Sequence, residues 1–143
     1  MTEEIDKYEV RFKLNSFTCN AKVITKLLNI TPHDAWNKGD IVSIQKDGKA
    51  KMKKNYSSWQ KIFFTSKPEE IGLKINQLLD LMLTKYDQLQ LIYKQYKAEA
   101  QVAIVGYYYY CNFETFLSQE TLAKMNRLKA VLRIDLYSFQ SDD

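Results

Sequence analysis

Gln101-Val102-Ala103-Ile104-Val105-Gly106-Tyr107-Tyr108-Tyr109-Tyr110-Cys111 makes up most of the longest uncharged and largely apolar stretch of the chain, about Gln101 to Phe113. A strand that faces water on one side alternates apolar with polar residues; this one is apolar on both phases. It therefore reads as a central strand, covered at least partly on both sides. The whole stretch to Phe113, thirteen residues, falls well short of the ~20 needed to cross a membrane as a helix. Working outward, Leu117-Ser118 reads as a staple and N-cap with Leu122 as the staple's partner, and Leu122, Met125 and Leu128 form that helix's expected buried face. Val131 to Phe139 closes the chain as a strand.

Upstream, Ile71, Ile75, Leu78, Leu79 and Met82 fall on one face of a helix, which Ser66-Lys67-Pro68-Glu69 opens as a capping box with proline in the first turn. Asp87 restarts a shorter helix carrying Leu89, Ile92, Tyr93 and Tyr96. Near the start, Tyr8, Val10, Phe12 and Leu14 alternate with polar residues as a half-buried strand. Asn20 is the expected N-cap of a helix with Ile24, Leu27 and Leu28 on its buried face. That helix stops near Asn29, because Pro32 biases Thr31 away from helical angles. Thr31 to Gly39 reads as a structured loop carrying Trp36. Ile41 to Gln45 is a strand, Asp47-Gly48 a tight hairpin turn, and Ala50 and Met52 sit on the returning strand. A further extended run, Tyr56 to Thr65, is expected to carry Trp59, Ile62 and Phe64 on one phase.

These elements add up to one α+β domain over residues 1–143. The expected sheet has about five strands, mainly antiparallel, with three or four helices packed chiefly on one face. The chain has 143 residues, 45% hydrophobic and 13% aromatic, a size at which folding buries roughly two-thirds of the unfolded surface. The acidic start Thr2-Glu3-Glu4 lacks the basic and apolar pattern of a signal peptide, and Cys19 and Cys111 match no disulfide or metal-ligand spacing. Both point to a cytoplasmic location.

The net charge is +4, and it is local. Between Lys46 and Lys54 stand five lysines and one acid, and the rest of the chain balances. Lys49, Lys51, Lys53 and Lys54 are candidate phosphate contacts on that hairpin, since each neutralised phosphate releases counterions. The competing reading is a solvated edge, where lysine discourages aggregation. No arginine or aromatic is interleaved there for base stacking.

Ile24-Thr25-Lys26-Leu27-Leu28-Asn29-Ile30-Thr31-Pro32, running on through Trp36-Asn37-Lys38-Gly39-Asp40, is the most specific segment of the chain. With Ser58-Trp59, Leu78-Leu79, Leu117-Ser118-Gln119-Glu120-Thr121-Leu122 and Ile134-Asp135-Leu136-Tyr137, in that order, the chain resembles a bacterial family of uncharacterised proteins catalogued as domain of unknown function 4279. The resemblance covers nearly the whole chain. It implies an α+β domain and brings no catalytic residues with it.

His33 is the only histidine, so a triad or a zinc site would have to use it; following Pro32, it reads as an exposed turn residue. Asp40, Asp47, Asp80 and Asp135 have no paired spacing for acid–base work, and no glycine pattern cradles a phosphate. The expectation is a non-enzyme without cofactor or metal. Trp36, Lys38 and Asp40 are a candidate binding surface, because indole offers area and one donor. Trp59 reads as core. In a strand Tyr107 and Tyr109 share one face and Tyr108 and Tyr110 the other, and Tyr108 and Tyr110 are assigned to the binding surface.

The leading reading is a protein-binding domain, one version being an immunity protein that neutralises a bacterial toxin. Its partner would be that toxin, another protein or a second copy of the chain. The alternative is a nucleic-acid-binding module using the lysine hairpin; an enzyme of unrecognised type is third.

Overall fold

The structure, a computed structural model, describes residues 5–44, 51–109 and 114–139. Its centre is the strand expected from the apolar run. That strand, β6 (Glu99–Tyr108), pairs antiparallel with β1 (Lys7–Asn15) on one side and parallel with β7 (Val131–Ser138) on the other. Val102 and Ile104 are buried on one face, and Ala103 and Val105 on the opposite face. Beyond β1 lies β5 (Ser58–Thr65), and beyond that β2 (Asp34–Trp36), giving the order β2-β5-β1-β6-β7. The family of mainly antiparallel five-stranded α+β sheets is therefore the right one for this chain. The parallel pair needs a crossover, which α4 (Gln119–Arg127) supplies.

The segment 31–39 departs from the expected loop. Asp34–Trp36 is a short edge strand paired antiparallel with Gln60, Trp59 and Ser58. Three residues carry no readable period, so only the partner reveals the strand. The lysine hairpin stands apart as a second sheet of β3 (Ile41–Ile44) and β4 (Lys51–Lys53). Its Asp47-Gly48 turn lies outside the described residues. The hairpin's base is closed by the Gly39 amide donating to the Lys54 carbonyl and the Lys54 amide to the Asp40 carbonyl.

The four α-helices among the described residues all feed one buried cluster on one face of the sheet. From the sheet come Tyr8, Val10, Phe12, Leu14, Trp59, Val102 and Ile104. From the helices come Ile24 and Leu28 of α1 (Ala21–Leu28) and the five expected residues of α2 (Ile71–Leu83). Leu89 and Ile92 of α3 (Tyr86–Tyr96) join them, as do Met125 of α4 and Leu128 at its end. Asn20 caps α1 as expected, accepting from the Lys22 amide, and Asn29 ends it in the left-handed region.

Three local details differ from expectation. The α2 entry is a 3-10 turn (Pro68–Glu70), and its hydroxyl is Thr65 rather than Ser66: Thr65 accepts from the Lys67 amide and donates to the Glu70 carboxylate. Leu122 is exposed, and Thr121 takes the buried position beside Met125. Trp59 lies opposite Leu14 on the helix face, whereas Ile62 lies opposite Arg11 on the other. A close approach at β6 depends on glycine: a Cβ on Gly106 would sit 2.9 Å from Leu136 Cδ2 and 3.0 Å from the Tyr8 ring.

Candidate functional site

Two places gather side chains that could recognise a partner. The first is a cleft of roughly 640 Å³ lined by Phe17, Cys19, Asn20, Asn37, Lys38 and Tyr56, among others. Trp36 does not line it. The indole N–H donates to the Tyr56 carbonyl at 2.9 Å, its ring meets Tyr56 edge-on at 5.8 Å, and Lys54 Nζ lies 3.7 Å from its centroid. Asp40 is likewise committed, accepting the Asn37 amide at 2.7 Å. Asn37 in turn accepts the Ala21 amide at 2.7 Å, so the first free N–H groups of α1 are already satisfied. Trp36 and Asp40 thus hold the arm in place, and of the expected trio only Lys38 borders the cleft. Burial pushes the Cys19 thiol up, keeping it protonated.

Of the four hairpin lysines, Lys53 is exposed and Lys54 covers Trp36. Lys49 and the side chain of Lys51 lie outside the described residues. Trp36, an aromatic beside the hairpin, therefore has a lysine against its ring.

The second place is the helix-free face of the sheet. Strand alternation puts Glu9, Arg11 and Lys13 on that face of β1, and the register brings Ile62 and Gln60 of β5 beside Arg11 and Lys13. A continuous hydrogen-bonded chain results. Ser58 Oγ donates to Asn15 Oδ1 at 2.7 Å, Gln60 Nε2 to Ser58 Oγ at 3.0 Å, and Arg11 Nη1 to Gln60 Oε1 at 2.8 Å. Arg11 also donates through Nε and Nη2 to the Glu9 carboxylate, and Lys7 reaches the same carboxylate at 3.7 Å. A guanidinium held from both sides is oriented before any partner arrives.

Across the floor of this face, Ala103 of β6 sits between Arg11 and Arg133, the latter paired with Asp135 at 2.9 Å. Beside them Lys13 has its pKa lowered, first by burial and then by Arg11 and Arg133. Glu9 and Asp135 pair with Arg11 and Arg133, so the excess positive charge sits on Lys13, in the middle of the face. Its far end is aromatic: Tyr107 stacks on Tyr137 at 5.4 Å and on Phe139 at 6.3 Å, and Tyr109 stacks on Phe139 at 5.2 Å. The tyrosines on the helix-free side are thus Tyr107 and Tyr109. Tyr108, paired with Ser138, has the phase of Val102 and Ile104 and belongs to the helix side; Tyr110 lies outside the described residues. The sequence held one hint of the charged chain: Glu9 and Arg11, two apart on a strand, share a face.

His33 is exposed, yet its ring has a job. Nδ1 accepts the Ile62 amide at 3.1 Å while the His33 amide donates to the Gln60 carbonyl at 2.9 Å. The imidazole extends the β2–β5 ladder by one bond and must be neutral to do so. Burial and Lys61 lower its pKa below the usual 6.5. The unfolded chain therefore takes up the proton first as pH falls, so this contribution is full above pH 6.5 and is lost through the lowered pKa. We expect the Ile62 amide resonance to shift with His33 protonation below pH 6.5, and the melting temperature to drop over the same range. His33→Asn, whose side-chain oxygen can take over as acceptor, should flatten that drop.

Among the described residues no three His, Cys, Asp or Glu side chains gather as a metal cluster, and no helix is long and apolar enough to cross a membrane. No curated protein and no solved structure matches the chain. A family model does match, over residues 6–139, from the edge of β1 to the end of β7. The chain belongs to that family, described as a domain of unknown function (DUF4279).

Proposed function

We propose that this chain is a protein-binding domain that acts by contact rather than catalysis, and that its helix-free sheet face receives an acidic partner protein. The observation that carries the reading is the adjacency, on one face, of the positive centre at Lys13, flanked by the acid-paired Arg11 and Arg133, and the aromatic row Tyr137–Tyr107–Phe139–Tyr109. Rigid aromatics and arginine are the residue types that dominate binding energy at protein interfaces. A carboxylate-bearing partner would set its acid over the positive centre and an apolar residue on the rings.

The concrete form we favour is an immunity protein that neutralises a toxin encoded beside it. Such a protein works by stoichiometric occlusion, so protection should scale with its amount. Cells expressing the product of the adjoining reading frame should be rescued by the wild-type chain and not by Tyr137→Ala combined with Lys13→Glu. Rescue that survives those changes, or survives at a small fraction of the toxin's level, would count against the reading.

A further inference from the structure

We propose that the chain forms a two-fold symmetric dimer in which β7 pairs antiparallel with β7 of a second copy, Ile134 opposite Ile134, joining two five-stranded sheets into one of ten. The inference is independent of the face-binding reading above and concerns the sheet's edge.

The two edges of the sheet are unequal. One is β2, only three residues long. The other is β7, eight residues with Val131, Leu132, Ile134, Leu136 and Tyr137 all exposed. Long, apolar, unpaired edges are what natural sheets avoid, by shortening them or by placing lysine or proline there. Nothing of that kind protects β7: its charged residues are Arg133 and Asp135, which neutralise one another.

The backbone is set for pairing. The Phe139 amide donates to the Tyr108 carbonyl at 2.9 Å, so odd-numbered residues of β7 turn their amides toward β6. Leu132, Ile134 and Leu136 then present N–H and C=O outward, and among the described residues no hydrogen bond reaches them there. An antiparallel partner centred on Ile134 makes Ile134–Ile134 a hydrogen-bonded pair, flanked by Leu132–Leu136 on each side.

Charge selects the second copy and fixes the register. The segment Leu132-Arg133-Ile134-Asp135-Leu136 is a charge-complementary palindrome. Centred on Ile134, each Arg133 lies directly opposite Asp135 of the other copy, a favourable cross-strand pair. Shifting the two-fold by one residue opposes Arg133 to Arg133 or Asp135 to Asp135, both unfavourable. The faces also agree, since directly opposite residues share a face. Leu132, Ile134 and Leu136, on the helix side and 40%, 56% and 44% exposed, would cover their counterparts. The two edges of the joined ten-stranded sheet would be its two short β2 strands.

Sedimentation velocity on the full chain, from micromolar to about 100 µM, tests this. The wild-type chain should sediment as a dimer at the upper end. Ile134→Pro removes an outward amide that β6 does not use, and should weaken dimerisation at least tenfold. Arg133→Asp or Asp135→Arg alone should weaken it as well. The double change Arg133→Asp with Asp135→Arg should restore it, because the palindrome is only reversed; this arm holds even if the proline variant folds poorly. A monomer throughout would overturn the proposal and leave the edge to a strand of another protein. A dimer that all three single changes leave intact would overturn it too, whatever happens to partner binding at the sheet face.

Discussion

Trp59→Ala is expected to lower the free energy of unfolding by about 4 kcal/mol, within the 3–5 kcal/mol typical of deleting a buried tryptophan. Trp59 is fully buried on β5, on the helix face opposite Leu14, and its Nε1 donates to Thr25 Oγ1 of α1 at 3.1 Å. Truncation leaves a cavity in the same cluster as Ile24 and Leu28 and removes the tie between strand and helix. Against a stability of 5–15 kcal/mol for a domain, that is a large fraction. In a thermal melt it corresponds to a fall on the order of 10–20 °C. Trp59→Phe keeps most of the apolar volume, loses the hydrogen bond, and should fall by less than half as much. Trp36→Ala is the informative contrast. Trp36 is only half-buried and holds a surface arm, so we expect a loss of about 1 kcal/mol, near the centre of ordinary substitutions.

Arg11→Met should give the second large effect, a loss of about 3 kcal/mol in denaturant unfolding. The Glu9 side chain is only 8% exposed and Arg11 21%, so removing the guanidinium strands a carboxylate that solvent barely reaches. Lys7, 3.7 Å away and largely exposed, compensates little. Replacing both, Glu9→Leu with Arg11→Met, should recover most of the loss, because a buried ion pair is seldom worth more than the apolar residues that could replace it. A residue of about 1 kcal/mol should persist, since Gln60 Oε1 keeps no donor. The double variant therefore separates two roles of the charged chain. If it folds and still fails to bind a partner, the charges are there for recognition; stability alone does not require them.

How far the sequence reaches can be judged residue by residue. The strand around Val102 to Val105 was legible because burial on both sides leaves an apolar residue at every position there, a pattern that needs no partner to be read. Asn20, Asn29 and the face Ile71–Met82 were legible because caps and helical periods are local. Asp34–Trp36 was not: a three-residue strand exists only through its bonds to β5. Leu122 misled because α4 buries Thr121 and Met125 instead, and its staple position does not distinguish these. At the candidate site the gap was wider. Glu9, Arg11 and Lys13 sit on the polar phase of β1 and read as a solvated face, and only the register with Gln60 and Ser58 turns them into a connected chain. The tyrosine run had the correct alternation, yet its phase relative to the helices came from the pairing of β6 with β1 and β7, which no local pattern encodes.

The central claim is that the helix-free face, centred on Lys13, receives an acidic protein. Titration calorimetry of the purified chain against the protein encoded beside it measures this most directly, comparing Lys13→Glu with Lys53→Glu on the separate hairpin. The account predicts that Lys13→Glu weakens binding roughly 10–100-fold, as expected for reversing a charge at an interface centre, while Lys53→Glu leaves it within about twofold. The reverse ranking, or binding indifferent to Lys13, would contradict it.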